Sequence, residues 1–126
     1  MANIRERATK ALFDCGIPMN QSGFLYILDA MELFTENGAP ITNMRVVYEM
    51  IARKRKHSIS EIMENIKYSI IFGNSNCRTG AWVRYFGFDF TPKTNGNYLA
   101  FMWNRLRDEE CKEYELATKN TGNGME

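Results

Sequence analysis

The sequence predicts an all-α fold, a compact six-helix domain that contains a helix-turn-helix. Three observations carry that expectation. Apolar residues recur at helical spacing through most of the 126 residues, the pattern of helices that each bury one face. Glycines, prolines and capping residues stand where each period breaks. Between Tyr48 and Ile70, two such helices flank a short polar turn, as in two helices that cross closely.

The elements follow in order. Asn3 caps a first helix that runs to Cys15 with Ile4, Ala8, Ala11 and Leu12 on one face; Gly16 stops it and Pro18 follows. A second helix opens after Ser22. It carries Phe24, Leu25, Ile27, Leu28, Met31, Leu33 and Phe34 before Asn37-Gly38, a density that predicts burial on more than one side. After Pro40, Thr42 is expected to cap a third helix through Met44, Val47, Tyr48, Ile51 and Ala52, closing in Arg53-Lys54-Arg55-Lys56. Part of that basic run suits the negative end of the helix dipole.

The fourth helix has the clearest start. Ser58-Ile59-Ser60-Glu61 reads as a capping box, with the Ser58 hydroxyl accepting from the Glu61 N–H and the Glu61 side chain reaching back. Ile59, Ile62, Met63, Ile66 and Ile70 are expected on its inner face, and Ser60, Glu61, Glu64, Lys67, Tyr68 and Ile71 on its outer face; Gly73-Asn74 is expected to end it. A short helix is expected from Gly80 to Phe86, capped by Thr79 and stopped by Gly87. Phe88 to Thr91 alternates weakly before Pro92. A last helix starts at Asn95 and passes Tyr98, Leu99, Met102, Trp103 and Leu106 toward Leu116. Residues 1–117 are expected to form one domain, and the glycine- and asparagine-containing stretch 118–126 a flexible tail.

Composition narrows the function. Hydrophobic residues make up 44% and charged residues 25%, with 16 basic and 15 acidic side chains and a net charge of +1. That balance disfavours a protein that coats nucleic acid by bulk charge, so DNA binding has to come from local placement. No membrane-length apolar run and no signal-like N-terminus occur, which predicts a cytoplasmic location without membrane contact. Cys15, Cys77 and Cys111 are widely spaced and odd in number, and His57 is the one histidine. Reduced thiols, no metal and no cofactor are expected from that set. No catalytic spacing of Ser, His, Asp or Cys stands out, so the protein is expected to bind rather than to catalyse.

Between Tyr48 and Ile70, Ala52 is the small residue where two helices approach, and Ile62 is the branched apolar residue facing it. Lys56 stands where many helix-turn-helix motifs place glycine, which predicts a turn of different geometry. In that arrangement the second helix enters the major groove and the turn meets phosphates. The DNA-facing set is then Arg53, Lys54, Arg55, Lys56 and His57 on the phosphate side, with Ser58, Ser60, Glu61, Glu64, Lys67 and Tyr68 on the helix start and outer face. Glu61, Glu64 and Lys67 leave that face at −1, whereas base-reading helices favour Arg, Lys, Gln or Asn. The same spacing suits an ordinary helical hairpin, the basic run suits a solvated helix end, and Tyr68 with Ile71 would equally serve a protein partner. A protein-interaction module built on a degenerate helix-turn-helix is thus the alternative to a sequence-specific transcriptional regulator.

From about Ala8 to Arg107 the chain resembles the C-terminal DNA-binding domain of the stage 0 sporulation protein A family, the sporulation response regulators. The residues that carry the likeness are Gly16-Ile17-Pro18, Gly23-Phe24-Leu25-Tyr26 with Ala30, Pro40-Ile41-Thr42, Tyr48, Ile51-Ala52-Arg53-Lys54, Ser58 to Ile70, Phe86-Gly87-Phe88, Thr94-Asn95, Tyr98 and Arg105-Leu106-Arg107. The resemblance implies six helices, a helix-turn-helix that binds double-stranded DNA, contact with RNA polymerase or another protein, and a dimer on DNA. Family members usually carry an N-terminal receiver domain, which is not expected in this chain. In place of family arginines stand Glu61 and Glu64, Lys67 matches a basic position, and Tyr68 takes the place of a histidine. The segment Asn74 to Arg84 differs from the family region near the polymerase contact, and the stretch after Phe90 is shorter.

Overall fold

The computed structural model describes residues 3–76 and 94–108. Among them the chain is all-helical, with five helices: α1 (Ile4–Asp14), α2 (Ser22–Asn37), α3 (Met44–Arg55), α4 (Ile59–Asn76) and α5 (95–108). The expected helix at 80–86, the weakly alternating 88–91, the extension toward 116 and the tail 118–126 lie outside the described residues.

Local chemistry explains the boundaries. The Asn3 side chain accepts from the Glu6 N–H at 2.9 Å and starts α1. Gly16 adopts φ 86° past its end, and the Ile17 N–H closes the turn on the Leu12 carbonyl, a left-handed stop of the kind glycine favours. Gly38 ends α2 in the same way at φ 81°. At α3 the expectation shifts by one residue: Asn43, rather than Thr42, caps the helix, accepting from the Arg45 N–H at 3.2 Å. Thr94 caps α5 by accepting from the Asn97 N–H.

One hydrophobic core draws on all five helices. Ala8, Ala11 and Leu12 supply α1's face, and α2 buries nine residues, from Gly23 and Phe24 through Phe34. Val47, Tyr48, Ile51 and Ala52 come from α3, Ile62, Ile66 and Ile70 from α4, and Tyr98, Leu99, Met102, Trp103 and Leu106 from α5. Two polar side chains anchor α5 at this core. Trp103 donates its indole N–H to Thr35 Oγ1 at 3.0 Å. Asn95 donates to both the Tyr48 hydroxyl (3.0 Å) and the Met63 carbonyl (3.1 Å), tying α5 to α3 and α4. Burial pushes the Tyr48 phenol above its usual pKa, and the Asn95 hydrogen bond works against that shift.

Two glycines set the depth at which α4 lies. Gly23 on α2 meets α4 so closely that a Cβ there would stand 2.1 Å from Ser69 Oγ and 2.3 Å from the Asn65 carbonyl oxygen. Gly73 does not end α4 as expected. The helix continues to Asn76, and Gly73 is buried within it, where a Cβ would lie 2.7 Å from Ile17 Cγ1 and 3.0 Å from the Cys15 carbonyl oxygen. Its role is close approach to the α1–α2 connection rather than termination. Met63, expected on the inner face, is 37% exposed on the flank of α4; its carbonyl is what the fold uses.

Candidate nucleic-acid interface

Residues Lys56 to Ser58 join α3 to α4. Lys56 adopts φ 60° and ψ 46°, its N–H bonds the Ala52 carbonyl, and the His57 N–H bonds the same oxygen at 3.1 Å. This is the left-handed closure that glycine makes in many such turns, so the expectation of a different geometry for a lysine here is corrected: the conformation is kept and the residue carries the strain. An L-residue in this region costs about 1–2 kcal/mol, and glycine gives back roughly 0.4–1 kcal/mol by freeing the unfolded chain. Lys56→Gly is therefore expected to stabilise the fold by about 0.5–1 kcal/mol in urea titrations. An unchanged or lower midpoint would show that the Lys56 side chain makes a compensating contact in solution.

The turn rests on α2. Tyr26 and Asp29 are both buried, three residues apart on α2, and so share one face. The His57 ring stands edge-on to Tyr26 with centroids 6.2 Å apart. Asp29, 2% exposed, receives Arg55 side-on through both oxygens, Nε at 2.8 Å and Nη2 at 2.7 Å. Lys54 Nζ at 3.5 Å and Arg5 Nη1 at 3.6 Å complete its surroundings, and Arg5 also pairs with Glu32. The hydrogen bonds that Arg55 donates to the Asp29 carboxylate hold its guanidinium above even its ordinary pKa, with burial working in the opposite direction.

The start of α4 follows the expectation in half. Ser58 Oγ accepts from the Glu61 N–H at 3.2 Å. The Glu61 carboxylate, however, lies 2.8 Å from His57 Nδ1, back over the turn instead of at the Ser58 N–H. A carboxylate in the first turn also suits the positive end of the helix. Along the rest of the outer face Ser60, Glu64, Lys67, Tyr68 and Ile71 are exposed, Tyr68 by 66% and Ile71 by 55%. Glu64, Asn65, Lys67, Tyr68 and Ile71 line an open concavity of about 390 Å³.

The eleven residues expected at the interface thus separate into unlike groups. Arg53 and Lys56 are exposed and have no ion-pair partner among the described residues. Lys54, with its side chain 54% exposed, stands between solvent and Asp29. Arg55, 26% exposed, is committed inward. His57, Ser58 and Glu61 bond to one another's neighbourhood at the turn, and Ser60, Glu64, Lys67 and Tyr68 form the outer face of α4. Sequence reasoning missed Asp29 and Tyr26, which seat the turn. One signal was present: Asp29 and Glu32 interrupt the apolar run from Phe24 to Phe34, and a charge buried in such a run requires a partner.

Among the described residues no group of three or more His, Cys, Asp or Glu could hold a metal ion. No helix among them is long and apolar enough to cross a membrane. No protein-family model and no curated protein matches the chain.

Proposed function

We propose that this chain is a DNA-binding transcriptional regulator in which α3, the turn Lys56–Ser58 and α4 act as a helix-turn-helix, and that it works by binding rather than by catalysis. The observation that supports it best is the pair of exposed cations, Arg53 and Lys56, which have no ion-pair partner among the described residues and flank the capped start of α4, whose outer face is exposed. On a duplex these cations meet phosphates, while Ser60, Glu64, Lys67 and Tyr68 face base edges in the major groove. The proposed architecture has six helices, and the proposed setting is the cytoplasm, with binding as a dimer and RNA polymerase or another protein beside it.

Fluorescence anisotropy on a labelled duplex over a salt series tests the reading. Arg53→Ala/Lys56→Ala is expected to lower the log–log salt slope by about 1.8, near 0.9 for each lost phosphate contact, and to weaken binding roughly thirtyfold at 0.15 M salt on every sequence. Changes at Lys67 or Tyr68 are expected to alter which sequences are preferred. A second reading, a protein-docking module, is favoured by the exposed Tyr68 and Ile71 beside Glu64. It replaces the first if the intact protein shows no salt-dependent affinity for any duplex.

A further inference from the structure

We infer that Asp29 is a positioning residue that keeps Arg55 off the duplex and so sets how many phosphates the basic run neutralises, an inference that rests on the DNA-binding reading. Four consecutive cations, Arg53 to Lys56, look equivalent in sequence. Successive helical residues point about 100° apart, however, so four in a row cannot share one face. Asp29 exploits that divergence. It is a buried carboxylate whose two oxygens are both taken by the Arg55 fork, the planar bidentate arrangement that lysine cannot make. Lys54 is near enough to share its charge, 3.5 Å away. Arg53 and Lys56 are left to the solvent. The contact also pins the last turn of α3 to α2, one helical turn along from the Tyr26 ring that His57 meets. The phosphate-binding cations are thus carried on a fixed seat, and their number is reduced by one.

The test compares salt slopes of duplex binding by the full chain for the wild type, Arg53→Gln, Arg55→Gln, Asp29→Asn and Asp29→Asn/Arg55→Gln, with folding followed by circular dichroism. Arg53→Gln is expected to lower the slope by about 0.9, the value for one phosphate contact. Arg55→Gln is expected to leave it within about 0.3 of wild type, since that charge is not presented. Asp29→Asn keeps the shape and releases the guanidinium, so its slope is expected to rise by about 0.9 and to return to wild type in the double variant. A purely structural Asp29 would lower the melting temperature without raising the slope, and that result overturns the inference. So does an Arg55→Gln slope that falls as far as that of Arg53→Gln. If Asp29→Asn does not fold, the comparison of Arg55→Gln with Arg53→Gln decides alone. A wild type without salt-dependent binding removes the DNA reading and this inference together, whereas equal falls in a wild type that does bind remove this inference only.

Discussion

Gly23→Ala is expected to destabilise the protein by roughly 3 kcal/mol, at the upper end of what overpacking usually costs. The reason is what the added methyl would meet. Ser69 Oγ at 2.1 Å could rotate away, but the Asn65 carbonyl oxygen at 2.3 Å belongs to the backbone of α4. Relief therefore requires two helices to part along their crossing, and atoms packed at crystal-like density cannot follow without opening voids. A melting temperature lower by about 10–15 °C is expected in thermal circular dichroism. Gly23→Ala/Ser69→Ala removes only the hydroxyl contact and is expected to stay within about 1 kcal/mol of the single variant. Full recovery in the double variant would show that Ser69, rather than the backbone, sets the helix separation.

The second large effect is expected at Asp29. Asp29→Ala leaves Arg55, Lys54 and Arg5 facing a site built for an anion, and breaking a buried pair in this way costs about 3–5 kcal/mol. Because the Arg55 side chain is 26% exposed and can turn to water, a loss near 3 kcal/mol is expected, the lower end of that range. Replacing both partners with apolar residues, Asp29→Leu/Arg55→Met, removes the desolvation cost along with the attraction. The double variant is therefore expected to recover about 2 kcal/mol relative to the sum of the single changes. Urea midpoints for the four proteins of this cycle give the coupling directly, and additive losses would show that the pair contributes nothing in solution.

Much of the fold was legible in the residues because it depends on local chemistry. Asn3 and Ser58 cap helices, and Gly16 and Gly38 stop them, through bonds made within five residues. The apolar period likewise identified most of the core, from Ala8 to Leu106. Part of what was not legible depends on distant parts of the chain. Gly73 looked like a stop because glycine commonly ends helices, yet its neighbours are Ile17 and Cys15 from the other end of the chain. Thr42 and Asn43 are both good caps, and their order along the chain did not decide between them. The Lys56 turn was misjudged from the residue type at that position: bonds to the Ala52 carbonyl hold a lysine in a backbone conformation that glycine adopts more easily. At the candidate interface, the basic run was read as one patch. Only the fold reveals that a buried acid, 26 residues earlier, removes Arg55 from it.

The two close approaches of α4 also divide the labour along that helix between inheritance and variation. Gly23 fits against Asn65 and Ser69, and Gly73 against Ile17 and Cys15, so the inward residues answer to the fold and tolerate little change. The outward residues Ser60, Glu64, Lys67, Tyr68 and Ile71 are exposed, and surface substitutions usually shift stability by no more than about 0.5 kcal/mol. Mutation can therefore exchange nearly the whole outer surface of α4 while the scaffold stays in register. The surface of this helix is thus open to change many times over without any rebuilding of the fold beneath it.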